Sequence, residues 1–259
     1  MGLNAIDVNS EFLDLKDQLS SYLYRLTTNK ADMEDLVQDT FIRVTEKIDS
    51  FKHNSTFKTW VFTIATNLAI DNKRVKNRWE IDVQDKCKDA AQIKTNYDKI
   101  FHTFHAQPEN NFEIVEHINY CFTCIAKNLS LEKQIAIILK EIYHFKRNEI
   151  AEIMKITEGV VKHLLHDGRN ELQEKYHHRC AMINKNGVCY QCAELNDGLQ
   201  KHRNAEEKIA KLDLSPNYSP EKNLDTRFEL INRINPLKSN GSALEDTILQ
   251  ILRETIQDN

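Results

Sequence analysis

Glycine and proline are scarce in this chain, with 6 and 4 among 259 residues. So few backbone breakers exclude collagen-like, low-complexity and turn-rich β architectures. No strict alternation of apolar and polar residues marks a strand, and apolar positions recur at helical spacing, so the fold class expected is all-α. No run of eighteen apolar residues is present, and the start MGLNAIDVNSEF lacks both a basic segment and an apolar stretch. Neither a membrane span nor a secretory signal is expected, and the location expected is cytoplasmic. There is no excess of positive charge either: the net charge is -4. DNA affinity would therefore have to come from local patches or from a partner. No Ser-His-Asp set, glycine-rich phosphate loop or HExxH is found, which argues against an enzyme.

What is present falls into four segments. Residues 1–80 read as a compact helical domain. Its first helix spans about Glu11 to Leu26, the break TTNKAD follows with Asp32 as candidate cap, and the second helix is MEDLVQDTFIRVTEKIDSF. That helix buries Leu36, Val37, Phe41, Val44 and Ile48 and turns Asp35, Gln38 and Asp39 outward. After a polar loop, a third helix begins near Phe57 with an aromatic first half and a basic end, in which Lys73, Arg74, Lys76 and Arg78 put four cations into six residues. Residues 81–111 lose the periodicity and read as a polar linker with one weak helix near Ile93 to His105.

Residues 112–176 read as a second helical domain ending in NEIAEIMKITEGVVKHLLHDGRNELQEKY, two short amphipathic helices joined by a tight turn. Thr157 caps the second of these, and Val160, Val161, Leu164, Leu165, Gly168 and Leu172 form its inner stripe. Glu158, Lys162, His163, His166, Arg169 and Asn170 remain outside, as in a helix that docks in the major groove. Helical hairpins with a polar outer face are also common for purely structural reasons.

Residues 177–259 form a mostly helical extension with a polar helix around Gly198 to Leu212, a turn at SPNYSPEKN and two amphipathic segments. In HHRCAMINKNGVCYQCAELN the spacing of Cys180, Cys189 and Cys192, with His177 or His178, is that of a zinc site. A redox thiol pair and inert thiols are the other readings. Cys121 and Cys124 lie one helical turn apart and suit either that site or a core. Cys87 has no assignment.

The order DMEDLVQDTFIRV, FKTWVFTIATNLAIDNKR and LSLEKQIAIILKEIYHFKRNEIAEIMKITEGVVKHLL resembles the small two-domain sigma factors of bacterial RNA polymerase, the extracytoplasmic-function (ECF) type, across residues 11 to about 176. The resemblance implies a region 2 helical bundle and a region 4 helix-turn-helix, with core RNA polymerase and promoter DNA as partners. An anti-sigma protein is a further possible partner. It implies that Asp35, Gln38 and Asp39 face the polymerase, a role acids serve through steering and specificity. It further implies that Phe57, Lys58, Trp60, Thr63, Asn67 and Asp71, with the four cations after them, meet the downstream promoter element while it melts.

The helix-turn-helix face would read the upstream element. From Glu158 to Tyr176 its charges sum to minus one, where family members usually carry several arginines. No cofactor is required for such a function, and zinc in the extension is an optional addition. The rival readings are a stand-alone helix-turn-helix regulator with a metal-sensing tail, and a zinc hydrolase or deaminase. The latter lacks the H-x-E…C-x-x-C order.

Overall fold

The computed structural model describes residues 7–72, 75, 77–80, 82–106, 114–180, 213–215, 217–239 and 241–257. Helices dominate and no strand occurs among these residues. The chain divides into two compact units, residues 1–77 with 131–165, and residues 78–130 with 166–259.

In the first unit, α1 (Val8–Thr27) starts at Asp7, whose carboxylate accepts from the amides of Asn9 and Ser10. It ends at Thr28, which takes the left-handed conformation with φ 55°. Asn29, not Asp32, caps α2 (Lys30–Lys47): its side chain accepts from the Asp32 amide at 3.2 Å. Asp32 instead sits in the first turn, where the helix dipole favours a carboxylate. Thr56 caps α3 (Phe57–Asp71) through the Thr59 amide. This helix stops at Asp71, short of the basic run expected to continue it. Leu19, Tyr22, Leu23, Val44, Val61, Phe62 and Ala65 form the core of the three helices, each fully buried.

The same unit contains α7 (Leu131–Ile137), its π-helical continuation Ile138–Ile142, α8 (Arg147–Met154) and the start of α9 (Glu158–Arg179). The division differs from the expected split between residues 1–80 and 112–176, for an aromatic reason. Tyr143 packs edge-on against Tyr22 at 5.7 Å, and Phe145 meets Phe62 at 4.9 Å. Gln134 adds a buried bond to the Arg25 carbonyl at 3.2 Å. Burying two aromatic rings outweighs the segment's place in the chain, because each removes roughly 150–250 Å² from water.

In the second unit, the expected linker carries two helices, α4 (Val83–Gln92) and α5 (Lys94–His105), and both pack on α11 (Ser242–Gln257) of the extension. Helix α6 (Ile114–Ala126) packs on α10 (Pro220–Ile231), where Phe122 meets Phe228 edge-on. Two buried acids are satisfied here. Glu245 accepts from Asn119 Nδ2, and Glu116 accepts from the Gly241 amide at 2.7 Å. Such pairing is what lets polar groups leave water without a large penalty. The polar helix expected around Gly198 to Leu212 lies outside the described residues.

Candidate nucleic-acid interface

Helix α2 presents Asp35, Gln38 and Asp39 to solvent in one strip. Ile42 continues the strip one turn on and is 44% exposed. An exposed isoleucine on an otherwise polar face is the residue that charge counting on this helix missed. Its signal was the spacing 35, 38, 39, 42, which is one helix face.

At the start of α3 an aromatic cluster forms. Phe51 lies 5.0 Å from Trp60, 5.9 Å from Phe57 and 4.5 Å from the ring of His53. Phe57 is buried, while Trp60 stays half-buried with part of its ring in solvent. His53 of the polar loop belongs to this cluster, as does Phe51, to which sequence reasoning assigned no role. Further along, Thr63 is half-buried, and its hydroxyl donates to the Thr59 carbonyl. Asn67 donates from Nδ2 to the Thr63 carbonyl at 2.5 Å. Asp71 is exposed.

Two of the expected downstream contacts are engaged elsewhere. The Lys58 ammonium lies 4.7 Å from the centre of the Phe145 ring, on the side of α3 that faces α8, and burial there pushes its pKa down while Glu149 opposes the shift. Arg78 donates from Nη1 to the Leu129 carbonyl at 3.3 Å, beside the Trp79 amide bond to Lys127. Lys73, Arg74 and Lys76 lie outside the described residues.

The helix-turn-helix is built as its sequence suggests. Glu149 Oε2 accepts from the Lys146 amide at 2.7 Å at the start of α8. Lys155, at φ 55°, closes that helix, and Thr157 Oγ1 accepts from the Val160 amide at 3.3 Å at the start of α9. Glu158, Lys162, His163, His166 and Asn170 are exposed, and Asn170 Nδ2 meets His166 Nε2 at 3.1 Å. Val160 does not join the inner stripe. It is 45% exposed, because a cap at Thr157 turns position 160 outward, and it offers this face a methyl-sized apolar contact. Arg169 is held from another side: its guanidinium pairs with Asp225 of α10 and lies 5.6 Å from the centre of the Phe228 ring.

Of the expected zinc ligands, Cys180 is buried and accepts a bond from Arg227, while His177 and His178 are exposed, ring against ring. Cys189 and Cys192 lie outside the described residues. Among the described residues no group of three or more His, Cys, Asp and Glu is placed to hold a metal. Nor is any described helix long and apolar enough to cross a membrane.

An acidic helix face, a helix flanked by a half-open aromatic cluster and a helix-turn-helix together suit a protein that binds nucleic acid. The sigma-70 region 2 family matches residues 12–79. The chain is 33% identical over 172 residues to the ECF RNA polymerase sigma factor SigW of Bacillus subtilis, covering 65% of this chain and 89% of that protein. It is 30% identical over 148 residues to the ECF RNA polymerase sigma-E factor of Haemophilus influenzae, covering 57% and 76%. A solved sigma factor, RpoE of Bartonella quintana in complex with the anti-sigma factor NepR, aligns at 23% identity with a TM-score of 0.43, covering 65% of this chain and 96% of that one. The chain belongs to the ECF sigma factors of RNA polymerase, the promoter-specificity subunits of transcription initiation.

Proposed function

We propose that this sigma factor divides its work among three helices and carries out no covalent chemistry of its own. The exposed strip Asp35, Gln38, Asp39 and Ile42 of α2 docks on the core polymerase. Trp60, Thr63, Asn67 and Asp71 of α3 engage the downstream element as it opens, with the half-exposed Trp60 offering the stacking surface an unpaired base needs. Glu158, Val160, Lys162, His163, His166 and Asn170 of α9 read the upstream element in the duplex, Val160 against a thymine methyl. The cell compartment is the cytoplasm, where the polymerase works.

The observation that carries this reading is the charge on α9. From Glu158 to Tyr176 the bases are Lys162, Arg169 and Lys175 and the acids are Glu158, Asp167, Glu171 and Glu174. Arg169 is moreover paired with Asp225. A helix so weakly charged discriminates sequence but holds DNA poorly alone, since phosphate neutralisation supplies most non-specific affinity. Tethering to the polymerase provides the missing local concentration. Run-off transcription with purified core polymerase and a promoter library tests it: transcripts that require the protein are expected. Tight operator binding without polymerase, and no transcript, would instead establish a stand-alone regulator.

A further inference from the structure

Gly159 stands in the first turn of α9, two residues after the Thr157 cap. It is exposed, unlike Gly168 of the same helix, which is buried. The fold itself does not call for a glycine here. No described glycine has a positive φ, so alanine would adopt the same backbone. Among the described residues, a Cβ built at this position meets Thr157 Oγ1 at 3.8 Å and nothing nearer, which is ordinary van der Waals contact. Glycine nonetheless holds a helix less firmly than alanine, because its backbone loses more freedom on folding. What the missing side chain offers is room outside the chain.

Helical geometry sets where that room lies. At 3.6 residues per turn, positions 159, 163, 166 and 170 fall within about 40° of one line along the helix. His163, His166 and Asn170 are exposed on that line. Gly159 therefore begins the face proposed to read the upstream element, and its place at the DNA rests on that reading. The N-terminal residues of a recognition helix are the ones that reach base edges in the major groove.

We propose that Gly159 is a specificity-determining position: a base edge of the upstream element packs against its bare Cα, which lets α9 sit deeper in the groove than a side chain there would allow. Glu158 and Val160 flank the gap, both exposed, and His163 follows one turn on. A Cβ would fill the gap and hold these side chains off the bases. The sugar-phosphate strand suits the gap less well, because the carboxylate of Glu158 beside it repels phosphate.

The test compares Gly159→Ala and Gly159→Leu with the native chain, each reconstituted with core polymerase on a promoter library randomised over the upstream element. Gly159→Ala is expected to melt about 1–4 °C higher, since the backbone already suits alanine. It is expected to bind the preferred promoter about five- to a hundredfold more weakly, as overpacking a close contact does, and Gly159→Leu more weakly still. Both are expected to change the sequence preference at one or two neighbouring base pairs, the mark of a base contact. Unchanged binding by either variant, or a loss spread evenly over all sequences, would overturn the proposal. A lower melting point for Gly159→Ala would do the same, since the fold itself would then need the glycine. His163→Ala in the same assay separates the two readings. If it alters the preference and Gly159→Leu does not, the proposal alone fails; if neither does, the promoter reading of α9 fails with it.

Discussion

Arg169 of the promoter-reading helix forms an ion pair with Asp225 of the C-terminal extension and lies over the ring of Phe228. The extension thus engages Arg169 on the outer side of α9. On the proposed reading of α9, Asp225 competes with a DNA phosphate for this guanidinium. Asp225→Asn removes the competitor. Both side chains are partly exposed, at 21% and 52%, so the pair is worth no more than about 1 kcal/mol. The expected outcome is a gain of up to about fivefold in promoter affinity of the reconstituted holoenzyme, read by filter binding. Arg169→Ala should abolish the effect of Asp225→Asn, because the two act through one contact.

Replacing Asp35 and Asp39 by asparagine removes the charge of the α2 strip without changing its shape. Steering charges act on association more than on dissociation. The double variant is expected to bind core polymerase with a lower association rate and a weaker salt dependence, measured by surface plasmon resonance. Ile42→Ala is expected to raise the dissociation rate instead, since it removes apolar contact and no charge.

Trp60→Ala and Asn67→Ala act after polymerase binding. A stacked base is worth about 1–3 kcal/mol, so Trp60→Ala is expected to lower the yield of open promoter complex by about five- to a hundredfold. Permanganate footprinting of unpaired thymines measures this. Polymerase affinity is expected to stay unchanged in both variants.

His117 is fully buried in the second unit, and burial, with Arg227 adding to it, lowers its pKa from 6.5 to about 4. A histidine kept neutral in the fold but free to charge when unfolded gives stability above pH 6.5 that falls away as the pH drops toward 4. The loss is at most about 1.4 kcal/mol per pH unit within that window. Thermal melts from pH 7.5 to 4.5 should show this slope, and His117→Gln should flatten it.

Most of the helical framework was legible because apolar spacing and caps are local. The helix-turn-helix is the clearest case: Thr157, Glu149 and the left-handed Lys155 act within a few residues of one another. Distant partners were not legible. Nothing near Lys58 in sequence signals that Phe145 will cover it, and nothing near Arg169 signals Asp225, 56 residues away. The supposed linker shows the same limit. Of its two helices, α5 matches the weak helix expected near Ile93 to His105, whereas α4 looks polar in isolation, and its apolar positions Val83 and Ala90 gain meaning only when α11 supplies a partner. Cys180 was read from its spacing to Cys189 and Cys192, whereas its described partner is the guanidinium of Arg227.

The central claim is that α3 and α9 read two separate promoter elements, and do so only when the chain is tethered to polymerase. Photo-crosslinking from positions 67 and 163 tests it most directly, with a benzophenone amino acid in place of Asn67 or His163. In the holoenzyme on a promoter, position 67 is expected to mark the opened strand near the start site and position 163 the duplex upstream, with both adducts lost when core polymerase is omitted. Adducts of equal strength without polymerase, or both positions marking the same stretch of DNA, would contradict the account.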